Sequence, residues 1–481
     1  MRACLLSTLL LLPQDPSPEA EPSKAKFKVA HGLAVELFAA EPHFVNPVAF
    51  DLDARGRAYV VETHRLGNAT FDVRGRMSWV DDDLACRTVA DREAMHRKHM
   101  GDAAYSKLRA SERVRRVEDT DGDGRADRAT TFAEGFDTPA DGLASGVLVR
   151  GKDVWLANVP NLWHLRDEDD DGRADARKVL HHGYGVRLAF IGHDLHGLTW
   201  GPDGKLYFTI GDRGLHVEHE GRTVSNPDSG AVLRCNPDGT QLVLFCTGLR
   251  NPQELAFDDH GNLWTVDNNC DNGDRARLTL LMEGGDVGWR IGYQQAPRAG
   301  PWIAEHLWKP SAAQTAPSQL PAIANIGHGP SGLAFHPGVA GLPPELDGHF
   351  FLSNFPGSVV VWRVVEKGAG FEAVGVRELV QNIWSTDVTF GPDGGLYVLD
   401  WVDGWGMPNK GRIWRMRDPK VAPPALAELQ ALLAEDLTRR SDDALVELLG
   451  HRDRRVRQSA QFALAARGAG AAFLKAAAKG R

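Results

Sequence analysis

Residues 193–214 read H-D-L-H-G-L-T-W-G-P-D-G-K-L-Y-F-T-I-G-D-R-G. A short apolar run is followed by a Gly-Pro-Asp-Gly turn at 201–204 and by a second β-rich run at 206–210. Turn residues between two such runs are typical of a β-hairpin. The stretch therefore predicts two antiparallel strands, with His193 just before the first strand and Asp212 just after the second.

The same pattern recurs five more times along the chain, at 46–62, 142–158, 255–267, 332–354 and 388–400. Repeats of short strands and turns, spaced by roughly 50 to 90 residues, are typical of a β-propeller. Hairpins between the repeats, such as 231–234 with 242–245, supply the outer strands. We therefore expect an all-β, six-bladed β-propeller over residues 27–418, with its first blade at 27–63 and its last blade closing at 411–416.

Two segments do not fit the propeller pattern. Residues 64–112 are polar, and the charged segment 81–107 has Leu84, Val89, Met95 and His99 at helical spacing. This pattern predicts a helical insertion that acts as a lid or rim, or simply as packing filler. Residues 425–481 are rich in Ala, Leu and Arg with a period of 3.6, which predicts a short, incomplete HEAT-like helical segment. Because a solenoid needs several repeats to bury its core, this piece either packs on the propeller or belongs to a larger architecture.

Composition and the N-terminus limit the classes of protein. The chain has 481 residues and a net charge of -9, which argues against nucleic acid as a partner. It lacks an apolar run of 18 residues, so we expect no membrane-spanning helix. Met1-Arg2, an apolar run at 3–12 and a Pro/Glu/Ser-rich tether predict a signal peptide and tether over 1–26 and export to the periplasm or beyond; a trimmed or mis-started terminus is the alternative.

The cysteines of an exported protein can pair, and Cys235 and Cys246 are the best candidates because they flank one predicted hairpin. The motif C-x-x-C-H is absent from the sequence, so this chain has no c-type haem attachment site.

Two hairpin turns are unusually acidic. Acids stand at positions 1, 3, 5 and 9 with glycine at position 6, in the order of a calcium loop: Asp119, Asp121, Asp123 and Asp127, then Asp167, Asp169, Asp171 and Asp175. Position 12, where a calcium loop has glutamate, is Thr130 in one turn and Lys178 in the other. Since Asp and Gly also favour ordinary turns, weak structural calcium and plain turns remain equally open.

Every repeated strand ends in an acid or an amide. These residues are Glu62, Asn158, Asp212, Asp267 with Asn268, Asn354 and Asp400. If they meet at one mouth of the propeller, they form a polar, cation-attracting funnel. The alternative is that Asp and Asn simply end strands in turns.

Candidate catalytic and binding residues lie beside two of the repeats. His193, backed by Asp212, has the arrangement of a general base held in one tautomer. Arg250, Asn251 and Gln253 stand just before an inner strand, where a guanidinium and two amides suit a planar ligand that carries carboxylates.

Residues 193–214 and 248–257, with 271–289 ending in G-G-D-V-G-W, resemble the soluble quinoprotein glucose/sorbosone dehydrogenase family. The chain is more closely similar to large propeller proteins of planctomycete-type bacteria with a membrane-bound dehydrogenase domain, in which HEAT repeats and often a haem domain follow the propeller. The resemblance covers about residues 27–419.

The resemblance implies a pyrroloquinoline quinone (PQQ) over the channel mouth, bridged to the protein by calcium. It implies that His193 removes the substrate hydroxyl proton, that Asp212 orients His193, and that Arg250, Asn251 and Gln253 contact the cofactor. The backbone carbonyls of Asp271 and Asn272 match the calcium ligands. The family also binds the quinone with basic residues of the fifth blade; here that stretch offers His328, so Arg213 or Arg275 is left to substitute.

Three functions follow as hypotheses. The first is an exported quinoprotein oxidoreductase that oxidises a sugar or polyol hydroxyl or hemiacetal, with a cytochrome c as a candidate electron acceptor. The second is a calcium-dependent lactonase or esterase that uses the funnel residues Glu62, Asn158, Asp267, Asn354 and Asp400 as a metal site. The third is a non-catalytic propeller that binds a carbohydrate or a protein.

Overall fold

The computed structural model describes residues 15–310, 319–421 and 423–478, so the apolar run of the predicted signal peptide lies outside the described residues. Six antiparallel sheets follow one another along the chain, which confirms the six-bladed β-propeller. The strands of blades 1 to 3 are Pro47–Leu52, Ala58–Glu62, Glu112–Glu118 and Arg128–Phe136; Ala144–Arg150, Asp153–Asn158, Asn161–Arg166 and Ala176–His182; Leu195–Trp200, Leu206–Ile210, Gly230–Cys235 and Val243–Leu249. Those of blades 4 to 6 are Ala256–Phe257, Leu263–Asp267, Arg277–Leu281 and Ala324–Asn325; Pro330–Phe335, Phe350–Asn354, Gly357–Lys367 and Gly370–Ile383; Ser385–Phe390, Leu396–Asp400, Arg412–Arg417 and Ala34–Ala40.

The N-terminal strand closes the ring. Ala34–Ala40 pairs antiparallel with Arg412–Arg417 and so forms the outer strand of blade 6. Lys28–Val29 similarly extends the edge of blade 5. The expectation that the first blade begins near residue 27 is therefore wrong: the segment is used to join the first and last sheets, because closure satisfies backbone groups that an open ring would leave unpaired.

The first strand of each blade lies innermost, and the core is packed between neighbouring blades. Strand residues point alternately to the two faces of a sheet, so each blade buries apolar side chains against both neighbours. Between blades 4 and 5, for example, the Trp264 and Phe350 rings lie 6.0 Å apart and the Phe350 and Trp362 rings stack at 5.5 Å. Such rigid packing fixes the positions at which the inner strands begin and end.

Helices are confined to insertions and to the C-terminal segment. The first insertion contains the 3-10 helix Val73–Trp79 and the helices Val80–Ala85, Val89–Met100 and Asp102–Tyr105, as predicted for a helical insertion. Blade 3 carries the extra hairpin Leu215–His219 and Arg222–Asn226 and the short strand Gly285–Asp286; the helices Ile291–Gln295 and Gly300–Ala304 follow. Further 3-10 helices are Glu21–Lys26, Ala30–Gly32, Pro297–Ala299, Pro344–Leu346, Gly404–Gly406 and Leu437–Arg439.

The C-terminal segment packs on the propeller at the ends of the inner strands. Its helices are Pro423–Ala434, Asp442–Leu448, Arg454–Ala466 and Gly470–Ala478. Arg455 Nη1 donates to the carbonyl of Phe390 at 2.9 Å, and Gln461 Nε2 donates to that of Pro202 at 2.6 Å. The Phe462 ring lies 4.5 Å from the Arg150 guanidinium. These helices therefore cover the mouth of the channel opposite to the one where His193 lies.

All four described cysteines, Cys86, Cys235, Cys246 and Cys270, are buried free thiols. The expected pairing of Cys235 with Cys246 is wrong, because the register of the two strands places Val232 opposite Cys246. None of the helices within the described ranges is long and apolar enough to span a bilayer.

Candidate functional site

A cavity of about 240 Å³ opens at the mouth where the inner strands begin. Its wall includes His193 from the motif at 193–214 and Arg250, Asn251 and Gln253 from the separate motif at 248–257. Each of them lies just before the inner strand of blade 3 or blade 4. The ring of blades therefore brings both motifs to a single opening.

His193 and Asp212 form a buried pair at this opening. Nδ1 of His193 lies 2.7 Å from Oδ1 of Asp212, and the side chains are only 5% and 3% exposed. Oδ2 of Asp212 accepts a hydrogen bond from the Trp289 indole at 2.9 Å. Since the carboxylate accepts a hydrogen bond from Nδ1–H, Nε2 is the unprotonated nitrogen of the neutral ring, which is the form a general base requires.

Asp212 is held in its ionised form. Burial by itself would raise the pKa of this carboxyl, but the hydrogen bond of His193 and the charge that this ring carries when protonated, together with the charge of Arg250 and the indole of Trp289, hold the pKa below its usual range. The backbone N–H of Asp212 also donates to the carbonyl of Arg250 at 2.8 Å. The carboxylate is therefore fixed in both position and charge.

Arg250 is enclosed between aromatic rings. Its guanidinium carbon lies 5.5 Å from the centre of the Phe190 ring and 5.7 Å from that of Trp289, and its Nε donates to Gln294 at 2.9 Å. Beside it, Asn251 is 2% exposed and its Oδ1 finds no hydrogen-bond partner among the described residues. A buried acceptor without a partner costs about 1–3 kcal/mol, so this part of the wall suits a ligand that donates a hydrogen bond.

The insertion braces the loop that carries His193. Asp83, which is 2% exposed, accepts from the backbone N–H groups of Leu188 and Ala189. Asp72 accepts from Ile191 at 3.1 Å. The insertion therefore forms part of the cavity wall, to which it contributes Leu66 and Arg74.

Arg74 is a cavity residue that the sequence motifs missed. Its guanidinium carbon lies 4.5 Å from the centre of the Phe190 ring. Its Nε and Nη2 donate hydrogen bonds to the carboxylate of Asp72. Arg74 and Arg250 are the arginines on the described wall. The charged character of the insertion was the available signal, but its position over the mouth depends on the fold.

Two predicted cofactor contacts lie elsewhere. Arg213 is buried behind the wall, where it forms an ion pair with Asp194 and donates from Nε to the carbonyl of Arg187. The His328 side chain is exposed and does not line the cavity, as is also true of Arg275. The expectation that Arg213 or His328 faces the ligand is therefore wrong. Buried arginines are usually paired, and Asp194 provides that pairing here.

Of the two predicted calcium ligands, Asp271 and Asn272, only the first lines the cavity. Asp271 lies on the cavity wall and has the positive φ of 61°, whereas Asn272 lies outside the wall and donates from Nδ2 to the carbonyl of Cys270. Gln253 donates from Nε2 to the carbonyl of Gly192 at 3.3 Å. The role of these backbone carbonyls remains a prediction.

The strand-end acids and amides do not form the expected funnel. Each one instead binds the chain that leads into the inner strand of its own blade: Glu62 accepts from Val45 N, Asn158 donates to Gly142 O, Asp267 accepts from Arg250 N and Asn251 N, Asn354 accepts from His328 N, and Asp400 accepts from Trp384 N. Of the strand-end acids and amides named from the sequence, only Asn268 lines the cavity. The prediction of a metal site in the funnel is therefore wrong. These side chains instead provide hydrogen-bond partners for backbone groups of their own blades.

Three other carboxylates lie along the channel. Glu254 and Asp387 border both the cavity and the space under the C-terminal helices, and Asp51 borders that second space. Burial raises the pKa of Asp51 and of Asp387 to about 7. Burial, followed by the charges of Asp387 and Asp51, raises the pKa of Glu254 well above its usual range. These groups are protonated more readily than surface acids.

Each acidic turn gathers three of its four acids. The ligand atoms of Asp119, Asp121 and Asp123 lie within 4.8 Å of one another, and so do those of Asp167, Asp169 and Asp175. Asp127 instead accepts from Thr120, and Asp171 accepts from the backbone N–H of Arg173. In the second turn the buried Arg116 already binds Asp167 at 3.0 Å. Calcium in these turns stays a prediction.

Residues 19–405 match the family described as a domain of unknown function (DUF7133). The chain belongs to this family. The match covers the propeller except for the strand Arg412–Arg417 of blade 6, and it includes His193, Asp212 and Arg250. The family description assigns no activity, so the function has to be inferred from the residues of the cavity.

Proteins with named activities match this chain only over a short stretch or at low sequence identity. The quinoprotein glucose dehydrogenase B of Acinetobacter calcoaceticus is 29% identical over 124 residues, which is 20% of this chain and 26% of the relative's length. An oxidoreductase (glucose dehydrogenase) of Thermus thermophilus superposes with a TM-score of 0.51 and 17% identity over 80% of this chain and 100% of its own. A second solved glucose dehydrogenase gives a TM-score of 0.51 and 16% identity over 79% and 99%. At these identities the structural likeness shows the propeller fold.

Proposed function

We propose that this chain is an exported quinoprotein-type oxidoreductase that oxidises a sugar or polyol hydroxyl or hemiacetal with PQQ and calcium. The observation that carries the proposal is the buried His193–Asp212 pair at the cavity, with Arg250 beside it. The partial match to a quinoprotein glucose dehydrogenase supports the same chemistry. Export, a cytochrome c as acceptor and the boundary between the propeller and a HEAT-like segment at 425–481 belong to the same proposal.

The residues of the wall fit such a cofactor in chemical kind. PQQ is planar, carries carboxylates and has a pyrrole N–H. Arg250 and Arg74 offer guanidinium groups to the carboxylates, and the unpartnered Oδ1 of Asn251 offers an acceptor to a donor. Gln253 and the backbone carbonyls of Asp271 and Asn272 would complete the cofactor and calcium contacts.

In the reaction, His193 takes the proton of the substrate hydroxyl on Nε2, while Asp212 stabilises the imidazolium that forms. The bound quinone supplies the acceptor for the hydride. Burial of the pair keeps bulk water away from the proton-transfer step, because both side chains are almost fully enclosed.

The test is a titration of the purified protein with PQQ and calcium, followed by absorbance and then by dye reduction with aldoses. We expect a spectral change at micromolar quinone and aldose-dependent reduction that His193→Ala abolishes. His164→Ala is the matched control, because His164 pairs with Asp153 at 2.9 Å on an outer strand. Absence of quinone binding in the wild-type protein would remove the proposal.

The hydrolase alternative loses its structural support, because its proposed metal ligands bind the backbone of their own blades. A non-catalytic propeller is the outcome if the quinone titration fails while a sugar still binds.

A further inference from the structure

Phe190 is a half-buried aromatic residue of the cavity wall that contacts both arginines of the described wall and the proposed base. The guanidinium carbon of Arg74 lies 4.5 Å from the centre of its ring, and that of Arg250 lies 5.5 Å from it. The rings of Phe190 and His193 lie 5.6 Å apart. A single ring therefore joins the insertion, the loop that carries the base and the residues before the inner strand of blade 4.

The backbone beside this ring is strained. Ala189 has a φ of 49°, in the left-handed region that residues with a Cβ adopt only at a cost. The insertion holds it there, because the N–H of Ala189 donates to Asp83 at 3.2 Å and its carbonyl accepts from the N–H of Val73 at 3.0 Å. Such a conformation persists only where the surrounding structure fixes it. The insertion therefore determines the position of Phe190.

Arg250 is a buried cation without a counter-ion. It is 2% exposed, and it forms no ion pair within the part of the chain that the structure describes. Its Nε donates to Gln294 at 2.9 Å, whereas Nη1 and Nη2 have no hydrogen-bond partner among the described residues. Since a buried charge without a partner is costly, the rings of Phe190 and Trp289 compensate only part of this cost. The two Nη groups are thus left for an anion from outside the chain.

Arg74 offers one further donor at the same ring. Its Nε and Nη2 donate to Asp72, which leaves Nη1 without a partner among the described residues. The face of an aromatic ring carries negative partial charge, so Phe190 attracts both guanidinium groups without occupying their N–H donors. A carboxylate in its place would bind these donors itself.

We propose that Phe190 is a positioning residue that keeps the guanidinium groups of Arg74 and Arg250 in place and free to bind the carboxylates of a planar anionic ligand. The ring takes the place of a counter-ion, and the strained backbone at Ala189 sets its position. This inference rests on the proposed function, since it names the residue that prepares the same cavity for the carboxylates of the cofactor.

The test uses a redox-inert planar anion, benzene-1,3,5-tricarboxylate, without quinone or calcium. The anion is titrated by calorimetry into the wild-type protein, Phe190→Leu and Phe190→Tyr. Phe71→Leu is the matched control, because Arg76 lies 4.8 Å from the Phe71 ring, which is also half-buried but does not line the cavity. We expect Phe190→Leu to weaken binding about fivefold or more, Phe190→Tyr to bind like the wild type because it keeps the ring, and Phe71→Leu to have no effect.

A second measurement separates positioning of the arginines from general support of the wall. The factor lost through Phe190→Leu should be smaller in the Arg250→Gln background than in the wild-type background, because the ring then holds one arginine instead of two. An equal factor in both backgrounds would overturn the proposal. Equal affinity of Phe190→Leu and the wild type, or no binding of the tricarboxylate by the wild type, would also overturn it.

The outcome can be told apart from that of the proposed function. If the tricarboxylate binds in a manner that depends on Phe190 but PQQ does not bind, the quinoprotein function fails and this proposal stands. If PQQ binds Phe190→Leu as tightly as the wild type, the proposal fails and the function stands. Equal melting temperatures verify that the variants are folded, and Phe190→Met replaces Phe190→Leu if the latter is unstable.

Discussion

The indole Nε1–H of Trp289 donates to Asp212 at 2.9 Å, on the carboxylate oxygen that is not used by His193. A residue 77 positions further along the chain thereby fixes the orientation of the acid that orients the base. The first prediction follows from this contact.

Asp212→Asn should reduce turnover by roughly 100-fold or more, because an amide donor facing Nδ1 would favour the tautomer with the proton on Nε2. Trp289→Phe keeps a ring but removes the donor, and we expect a loss of about tenfold in kcat with little change in KM. The measurement is steady-state dye reduction with quinone and calcium present. Trp264→Phe, which removes an indole bonded to Asp258 away from the cavity, should leave kcat unchanged.

Arg74→Gln should weaken quinone binding by roughly three- to tenfold, because a charge-assisted contact at a partly exposed site contributes about 1 kcal/mol. Fluorescence titration with PQQ measures this directly, without turnover. Arg97→Gln is the control: Arg97 also lies on an aromatic ring, at 4.4 Å from Tyr105, and pairs with Asp102, but it does not line the cavity. Equal effects in the two variants would argue against a contact between Arg74 and the ligand.

Asp267→Asn should destabilise the protein by about 3–5 kcal/mol, because it leaves the buried guanidinium of Arg277 without its anion. The double variant Asp267→Asn with Arg277→Met should recover part of this loss. Urea denaturation measures the free energy of unfolding. Asp286→Asn is the comparison, since its ion pair with Arg290 is partly exposed and should cost at most about 1 kcal/mol. A loss of less than about 1 kcal/mol in the free energy of unfolding for Asp267→Asn would contradict the conclusion that Asp267 stabilises the fold through Arg277 and the backbone.

Asp51→Asn should change how stability depends on pH. The pKa of Asp51 is raised to about 7 in the folded protein from 3.8, so between these values the folded state holds a proton that the unfolded state has released. The contribution of this group to the free energy of unfolding therefore falls as the pH rises from about 4 to 7, by up to about 4 kcal/mol. Relative to the wild-type protein, the variant should gain stability between pH 5 and pH 8.

Urea denaturation at pH 5, 6, 7 and 8 checks this trend. Asp238→Asn serves as the control, because hydrogen bonds from Thr240 lower the pKa of that exposed acid and its effect should be constant across the range. A constant difference for Asp51→Asn would show that its carboxyl is ionised throughout.

The sequence by itself determined the six repeated hairpins, the helical insertion and the proximity of His193, Asp212 and Arg250, because each of these follows from local turn chemistry and from the fact that inner strands begin at one mouth. It also predicted an acid or amide at each strand end, but not what these groups bind. Asp267 and Glu62 satisfy backbone N–H groups of their own blades, and this choice depends on distances that only the folded chain sets. Arg74, Trp405 and the helix Arg454–Ala466 likewise reach the two mouths through long-range packing. Local patterns specify strands and turns; which side chains face a shared cavity is decided only when the ring closes.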